Sequence, residues 1–229
     1  MLNHIIKKIL KIIDINNTRD SRNIGRELQR RALKQTAIFI EENMLKTKSF
    51  PNKISLLKYA LDISDNNGLY VEFGVYEGVT LNLISSIVKN KIIYGFDSFE
   101  GLPEDWRDGF EKGFFKMENL PEVNENTKLV IGMFEDTLPN FVSKHNEKCS
   151  FIHVDCDLYS STTTIFKVLS DKIKKDTVIV FDEFFNYPGW KMGESKAFLE
   201  FVNSNNIKFE YIGYSLYDQQ VAVRILGED

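Results

Sequence analysis

Cysteine is scarce in this sequence, and long hydrophobic runs are missing. Of the 229 residues only two are cysteines, too few for a disulfide framework in a chain of this length. We therefore expect Cys149 and Cys156 to be small buried residues of a protein in the reducing cytoplasm. No apolar run approaches the roughly 18 residues that a membrane-spanning helix needs. A disulfide-rich secreted protein and an integral membrane protein are thus not expected.

Charge is unevenly distributed along the chain. Hydrophobic residues make up 43% of the sequence, enough for a substantial core, and the formal net charge is only −4. Residues 1–60 nevertheless carry a balance of +8, whereas the remainder carries −12. An acidic body would repel phosphate, so nucleic acid is not an expected partner.

The first 66 residues have a helical pattern and are predicted to form a cap, a lid or an oligomerisation segment. Apolar residues recur at three- to four-residue spacing between Ile5 and Ile13, with lysines between them, which predicts a basic amphipathic helix. Two further helices are predicted around residues 28–40 and 54–63. The first helix could lie on an anionic membrane surface, but packing on the body or on a partner subunit is favoured. We therefore expect a homo-oligomer.

Residues 67–229 have the pattern of an α/β domain. Strands are predicted at residues 69–75, 91–97, 128–134, 150–157, 177–184, 208–214 and 219–226, and helices at 80–88, 162–173 and 194–204. Strands this apolar are buried on both faces, which indicates a mostly parallel sheet covered by helices. The last two strands are joined too closely for a parallel crossover, so they add a C-terminal antiparallel hairpin to a seven-stranded sheet.

The connection between the second and third predicted strands is unusually long. Residues 98–126 contain five aromatic side chains, and loops of this length in compact domains are usually functional or carry structure of their own. The aromatic residues predict either a small core private to the loop or a binding surface.

Two glycines after the first predicted strand mark a first candidate site. Gly74 permits a tight turn and a close approach of the backbone to a ligand, and Gly78 lets the next helix begin beside it. Glu72 and Glu77 flank this turn, and their charges would repel a pyrophosphate but not the ammonium and sulfonium groups of S-adenosylmethionine. The pattern favours that cofactor over NAD. A glycine turn without a ligand is the alternative.

An acidic residue after the second predicted strand strengthens this assignment. Asp97 lies 19 positions after Gly78, where an acidic side chain commonly accepts hydrogen bonds from both hydroxyls of a ribose. A capping or turn role is the alternative. The glycine turn and Asp97 together predict an adenosine site.

Four acidic residues follow the fourth and fifth predicted strands, and we call Asp155, Asp157, Asp182 and Glu183 the carboxylate cluster. The carboxyl ends of parallel strands open on the same crevice, so these side chains are expected to lie close together and to need a compensating cation. Oxygen ligands favour a hard divalent cation such as Mg²⁺. A metal-bound hydroxyl becomes more acidic, and a neighbouring carboxylate can then take its proton. Helix capping by some of the acids is the alternative.

These motifs, in this order, resemble the macrocin O-methyltransferase family. The resemblance covers roughly residues 67–226 and rests on four runs, Glu72–Gly78, Gly95–Pro103, Glu135–Pro139 and His153–Thr162. It implies a Rossmann-like class I methyltransferase fold. It also implies an enzyme that depends on S-adenosylmethionine and Mg²⁺ and methylates a sugar hydroxyl, on a natural product, a nucleotide-linked sugar or a surface glycan.

The resemblance further implies roles for individual residues. The residues expected at the cofactor are Glu72, Gly74, Gly78, Asp97 and the adjacent Ser98, with Glu135 and Asp136 near adenine. The expected metal ligands are Asp155, Asp182 and Glu183, and Asp157 is the expected general base. The family pattern has a second aspartate where this chain has Glu183, and a Pro-Gly turn where it has Asn67-Gly68.

Two other residues near the predicted site have competing interpretations. His153 is a rival base, but its place two residues before Asp155 on a buried strand favours a core histidine. Trp190 follows the fifth strand and either stacks on a sugar ring or holds its own loop in place.

Three alternative functions remain open from the sequence. A Mg²⁺-dependent methyltransferase of catechols or other phenols would share both sites. A nicotinamide-dependent oxidoreductase would bind NAD(P)H, which Glu72 and Glu77 disfavour. A non-enzymatic scaffold would not bind S-adenosylmethionine.

Overall fold

The computed structural model describes residue 6 and residues 21–228, so the basic helix predicted between Ile5 and Ile13 lies almost entirely outside the described residues. The helices are α1 (Ile24–Asn43), α2 (Lys53–Asp62), α3 (Val79–Ile87), α4 (Phe134–Lys144), α5 (Tyr159–Leu169) and α6 (Glu194–Ser204). The strands are β1 (Lys48–Phe50), β2 (Leu69–Phe73), β3 (Ile93–Asp97), β4 (Thr127–Ile131), β5 (Cys149–Val154), β6 (Val178–Phe181), β7 (Ile207–Ser215) and β8 (Val221–Glu228). None of the described helices combines the length and the apolar character needed to cross a membrane.

The strands form a single mixed sheet in the order β1-β7-β8-β6-β5-β2-β3-β4. β8 runs antiparallel to β6 and β7, whereas the other neighbouring pairs are parallel, which confirms the predicted α/β fold with its C-terminal hairpin. The predicted count of seven strands was wrong, because β1 adds an eighth strand beside β7. Three residues of mixed polarity are too few to show a strand pattern.

The predicted strands extended beyond the real carboxyl ends. β5 ends at Val154 and β6 at Phe181, so the carboxylate cluster lies in the loops that follow rather than in the strands. The third strand was predicted to extend to residue 134, but β4 ends at Ile131. Phe134 instead begins α4, a helix that the sequence pattern did not predict. Pro139 lies inside this helix, where it removes one backbone donor and hides the helical signal.

Both faces of the sheet are covered, and the segment before β2 contributes to each face. Because side chains alternate along a strand, Tyr70 and Val71 of β2 lie in different core clusters. Leu57 of α2 is fully buried in the cluster that contains Tyr70. On the other face, the Phe39 ring of α1 packs edge-to-face on Tyr211, with ring centroids 6.0 Å apart.

We expect Leu57→Ala to lower the free energy of unfolding by about 2–5 kcal/mol, because the substitution leaves a cavity in a fully buried site. Urea unfolding followed by circular dichroism measures this change. Lys58→Ala, at an exposed position of the same helix, is the matched control and should change little. If residues 1–66 formed a separately folding cap, the main transition would instead be unchanged by Leu57→Ala.

Candidate functional site

A cavity of about 310 Å³ opens at the carboxyl ends of β2, β3 and β5, where the strand order of the sheet reverses. This is the position at which open α/β sheets bind ligands, and the volume is within the range of small-molecule sites. Its wall includes Gly74, Asp97, Glu135, Asp157 and Glu183, which are predicted site residues from several separate segments of the chain.

The turn after β2 contains both predicted glycines. The first of them, Gly74, is required by the backbone of a neighbouring turn and not only by a ligand. Gly74 has a φ of 89°, and a Cβ added there would lie 1.7 Å from the backbone oxygen of Asp155. The glycine is therefore needed because the turns after β2 and β5 lie in close contact. Gly78, with a φ of 76°, is the N-cap residue of α3 and does not line the cavity.

Asp97 organises the turn through its carboxylate. Oδ2 accepts hydrogen bonds from the backbone N–H groups of Val75 and Tyr76, at 2.8 and 2.9 Å, and Oδ1 accepts one from that of Phe99 at 2.7 Å. Asp97 thus has the turn-stabilising role that the sequence analysis gave as the alternative to ribose binding. Oδ2 already accepts two hydrogen bonds, but Oδ1 accepts only one, so one acceptor position remains on Asp97 at the cavity wall for the predicted ribose contact. Ser98 lines the cavity beside Asp97.

Glu72 is not among the residues that line the cavity. It is only 1% exposed, and its Oε1 lies 2.8 Å from Nδ1 of His153 on the adjacent strand β5. His153 is fully buried between Glu72 and Asp182, in agreement with its interpretation as a core histidine. Burial lowers its pKa, but contacts with these two carboxylates outweigh burial and raise the pKa of His153 to about 9.

Glu135 and Asp136, expected near adenine, occupy the first turn of α4. Glu135 lines the cavity, whereas Asp136 does not. Negative charge in a first helical turn is favourable in itself, because it faces the positive end of the helix dipole.

The carboxylate cluster forms where β5 and β6, which are neighbours in the sheet, reach their carboxyl ends. Asp155, Asp182 and His153 offer ligand atoms that all lie within 4.8 Å of one another. Glu183 and Asp157 do not belong to this group, but both line the cavity. The Oε2 atom of Glu183 is buried and has no hydrogen-bond partner.

Burial and mutual repulsion determine the protonation of the cluster. Burial, followed by the charges of Asp155 and Asp182, raises the pKa of Asp157 to about 8. Burial also raises the pKa of Glu183 well above its usual range. Asp182 differs, because contacts with His153 and Lys53 outweigh its burial and hold its pKa below the usual range. Asp157 has a left-handed backbone with φ of 64°, a strained conformation of the kind found at functional sites.

Lys53, the first residue of α2, contributes a cation to the cluster that the sequence analysis did not predict. Its Nζ lies 3.0 Å from Oδ2 of Asp155 and 2.6 Å from Oδ1 of Asp182. The two carboxylates raise the pKa of Lys53 above its usual range in spite of burial. No motif surrounds this lysine, since its position depends on the packing of α2 against the sheet.

The ligand atoms of the cluster match a hard divalent cation in type, but Lys53 already contacts one oxygen of each of two aspartates. Mg²⁺ requires oxygen ligands at about 2.0–2.1 Å in near-octahedral geometry. Oδ2 of Asp155 and Oδ1 of Asp182 are already in contact with the Lys53 ammonium. A metal bound by these two oxygens would have to displace Lys53.

Glu194 is a second site residue that the sequence analysis missed. It is fully buried, and its two oxygens accept hydrogen bonds from the backbone N–H groups of Cys156 and Glu183, at 3.3 and 3.2 Å. It thereby connects the loops after β5 and β6. At the start of a predicted helix, an acid gives no sequence signal of such burial.

The two tryptophans have different roles, and that of Trp190 is one of the two expected from the sequence. Trp190 is 3% exposed and packs edge-to-face on Phe39, with centroids 5.5 Å apart, so it holds its loop in place and offers no face to a sugar. Trp106 lines the cavity instead. Its ring lies 3.8 Å from the guanidinium carbon of Arg107, which also lies 5.3 Å from the ring of Tyr187.

The loop between β3 and β4 combines both predicted roles of its aromatic residues. Phe110, Phe114 and Phe115 pack on one another, with centroid distances from 4.7 to 5.8 Å. Phe110 and Phe115 also line the cavity, together with Trp106. Among the described residues that line it, Arg107 is the only lysine or arginine.

Comparison with known proteins gives matches to methyltransferases. Residues 71–184 match the model of a methyltransferase domain family. A curated relative, demethyldecarbamoylnovobiocin O-methyltransferase from Streptomyces niveus, is 25% identical over 156 residues, which cover 57% of this chain and 58% of the relative. The chain thus spans less than two thirds of that relative's length.

Two solved structures have the same fold as this chain. The O-methyltransferase NovP is 19% identical, with a TM-score of 0.58 over 76% of this chain and 79% of NovP. CalS11, described as a TDP-rhamnose 3'-O-methyltransferase of calicheamicin biosynthesis, is 20% identical, with a TM-score of 0.51 over 75% of this chain and 76% of CalS11.

Proposed function

Because residues 71–184 belong to a methyltransferase domain family, we propose that the protein is an S-adenosylmethionine-dependent O-methyltransferase that acts on a sugar hydroxyl. The observation that carries this proposal is the position of Asp157. Asp157 is 9% exposed and lines the same cavity as Gly74 and Asp97. The proposed base and the proposed cofactor residues therefore line one cavity.

The residues around the turn after β2 suit a cationic cofactor. Glu77, Asp97 and Glu135 line this part of the cavity, and their charges favour an ammonium and a sulfonium over a pyrophosphate. When bound, S-adenosylmethionine supplies the methyl group, and a carbon–oxygen bond forms as the carbon–sulfur bond breaks with its electron pair left on sulfur. The protein contributes orientation and exclusion of water.

Asp157 is proposed to accept the proton of the acceptor hydroxyl. A carboxylate whose pKa is raised by burial is a stronger base than an exposed one, which suits it to general-base catalysis near neutral pH. Arg107 lies near enough for its charge to oppose this rise in the pKa of Asp157. The proposed base and the cation proposed to bind the acceptor thus interact electrostatically, and both line the cavity.

Arg107 and Trp106 support a nucleotide-linked sugar as the acceptor. An arginine held against aromatic rings keeps its donors for a phosphate or diphosphate, and its Nε is buried without a hydrogen-bond partner. Trp106 offers a face for a sugar or base ring. The names of the curated Streptomyces niveus relative and of CalS11 point to natural products and nucleotide-linked sugars, which agrees with this choice.

A phenolic acceptor is the second candidate. The aromatic wall formed by Trp106, Phe110 and Phe115 would also receive a catechol or another phenol. Magnesium assistance, predicted from the sequence for either acceptor, stays a prediction.

We expect calorimetry to show one S-adenosylmethionine per chain and no binding of NADH. Mass spectrometry of the acceptor after incubation then tests a panel of TDP-sugars against a panel of catechols, with S-adenosylhomocysteine formation as the common readout. Methylation of a TDP-sugar is the expected result. Methylation of phenols alone would support the second candidate, and NADH binding without S-adenosylmethionine binding would contradict both.

A further inference from the structure

Lys53 has the position that a metal ion would need in the carboxylate cluster. Its ammonium lies between Asp155 and Asp182, within hydrogen-bond distance of an oxygen of each. These are two of the three residues expected from the sequence to ligate Mg²⁺. Among the described residues, no other lysine or arginine makes an ion pair with either aspartate.

The position of the ammonium is fixed by the helix that carries it. Lys53 begins α2, and the side chain of Asn52 caps this helix by accepting a hydrogen bond from the backbone N–H of Ser55 at 2.9 Å. Leu56 and Leu57, one turn further along, are fully buried against the sheet. The backbone of Lys53 is therefore held in place, and its side chain is only 25% exposed.

We propose that Lys53 is the resident cation of the carboxylate cluster and that it excludes a divalent metal from the site. The ammonium offsets the negative charge of Asp155 and Asp182 next to Asp157, the function that a metal would otherwise supply. A lysine ammonium has three donors, and two of them are directed at these carboxylates, so a third is available to an acceptor oxygen. The inference rests on the proposed function only in placing the cluster at the reaction site.

The other possible metal-ligand atoms of the cluster explain why removal of the lysine should create a metal site. Without the ammonium, Asp155 and Asp182 would be left close together without compensation, which is costly for buried carboxylates. His153 offers a further ligand atom within 4.8 Å of both, and the buried Oε2 of Glu183 has no partner. Oxygen-rich sites of this kind bind Mg²⁺ or Mn²⁺.

Titration with Mn²⁺, followed by electron paramagnetic resonance of the free ion, tests the proposal without an activity assay. The metal-free wild-type protein is expected to bind no Mn²⁺ at the cluster, and EDTA is expected to leave its methyl transfer unchanged. Lys53→Met keeps the unbranched apolar part of the side chain and removes the ammonium, so its affinity for Mn²⁺ should rise by about 100-fold or more. Lys53→Arg should exclude the ion as the wild type does, and Lys58→Met on the exposed side of α2 is the matched control.

Each outcome decides the proposal. Binding of one Mn²⁺ per wild-type chain would overturn it, even if Lys53→Met failed to fold. Absence of Mn²⁺ binding from both the wild type and a folded Lys53→Met protein would also contradict it, because the lysine would then exclude nothing. Calorimetry with S-adenosylmethionine on the same samples separates this result from the proposed function, which fails only if the cofactor does not bind or no methyl group is transferred.

Discussion

The Asp157→Asn protein is expected to bind S-adenosylmethionine as the wild type does but to transfer methyl groups about 10²–10⁴ times more slowly. An amide has nearly the shape of the carboxylate but cannot accept the proton of the acceptor hydroxyl. Asparagine also tolerates the left-handed backbone at this position, where φ is 64°, so the loop after β5 should keep its conformation. The measurement is the single-turnover rate with saturating cofactor.

Asp171→Asn provides the matched control, since Asp171 is exposed at the far end of α5. It removes the same charge and should leave the rate unchanged. If Asp157→Asn were to react within threefold of the wild-type rate, Asp157 would not be the base, and Glu183 in the same cavity wall would be examined next.

Gly74→Ala is expected to lower the free energy of unfolding by about 2–5 kcal/mol and to abolish cofactor binding. Two costs add: a left-handed backbone with φ of 89°, and a Cβ only 1.7 Å from the backbone oxygen of Asp155. Backbone atoms at that distance cannot yield by changing a rotamer, so the turns after β2 and β5 must separate. Urea unfolding measures the first effect and calorimetry the second.

Gly109→Ala distinguishes the two costs. Gly109 has almost the same backbone angle, with φ of 84°, but a Cβ there would meet no atom within 4 Å. It should show only the conformational cost of about 1–2 kcal/mol. Equal destabilisation by both substitutions would mean that contact between the two turns contributes nothing.

The carboxylate cluster could be predicted from the sequence because a parallel sheet brings its carboxyl ends together. Once β5 and β6 were recognised as buried strands, Asp155 and Asp182 had to lie at the same edge. Lys53 could not be predicted in this way. It is 102 residues from Asp155 in sequence, and its position depends on how α2 packs against the sheet.

Burial explains the other differences between the sequence-based expectations and the structure. Trp106 and Trp190 both follow acidic strand ends, yet one lines the cavity and the other lies 3% exposed against Phe39. Glu72 was expected at the cofactor because it precedes Gly74, but the alternation of side chains in β2 directs it toward His153. A sequence pattern gives the spacing of such residues, whereas the neighbouring elements decide which of them reaches the ligand.

The pairing of β1 with β7 has a consequence for the order in which the chain can mature during synthesis. Lys48 pairs with Gly213, and α2, which follows β1 directly, packs on β6 and β7. Lys53 is therefore synthesised early, but β6 and β7, on which its helix packs, are synthesised only after most of the chain. Closing so long a loop is slow, since its entropy must be lost before the contacts form. All four carboxylates of the cluster are thus synthesised before β7, the strand on which α2 must pack to bring Lys53 to them.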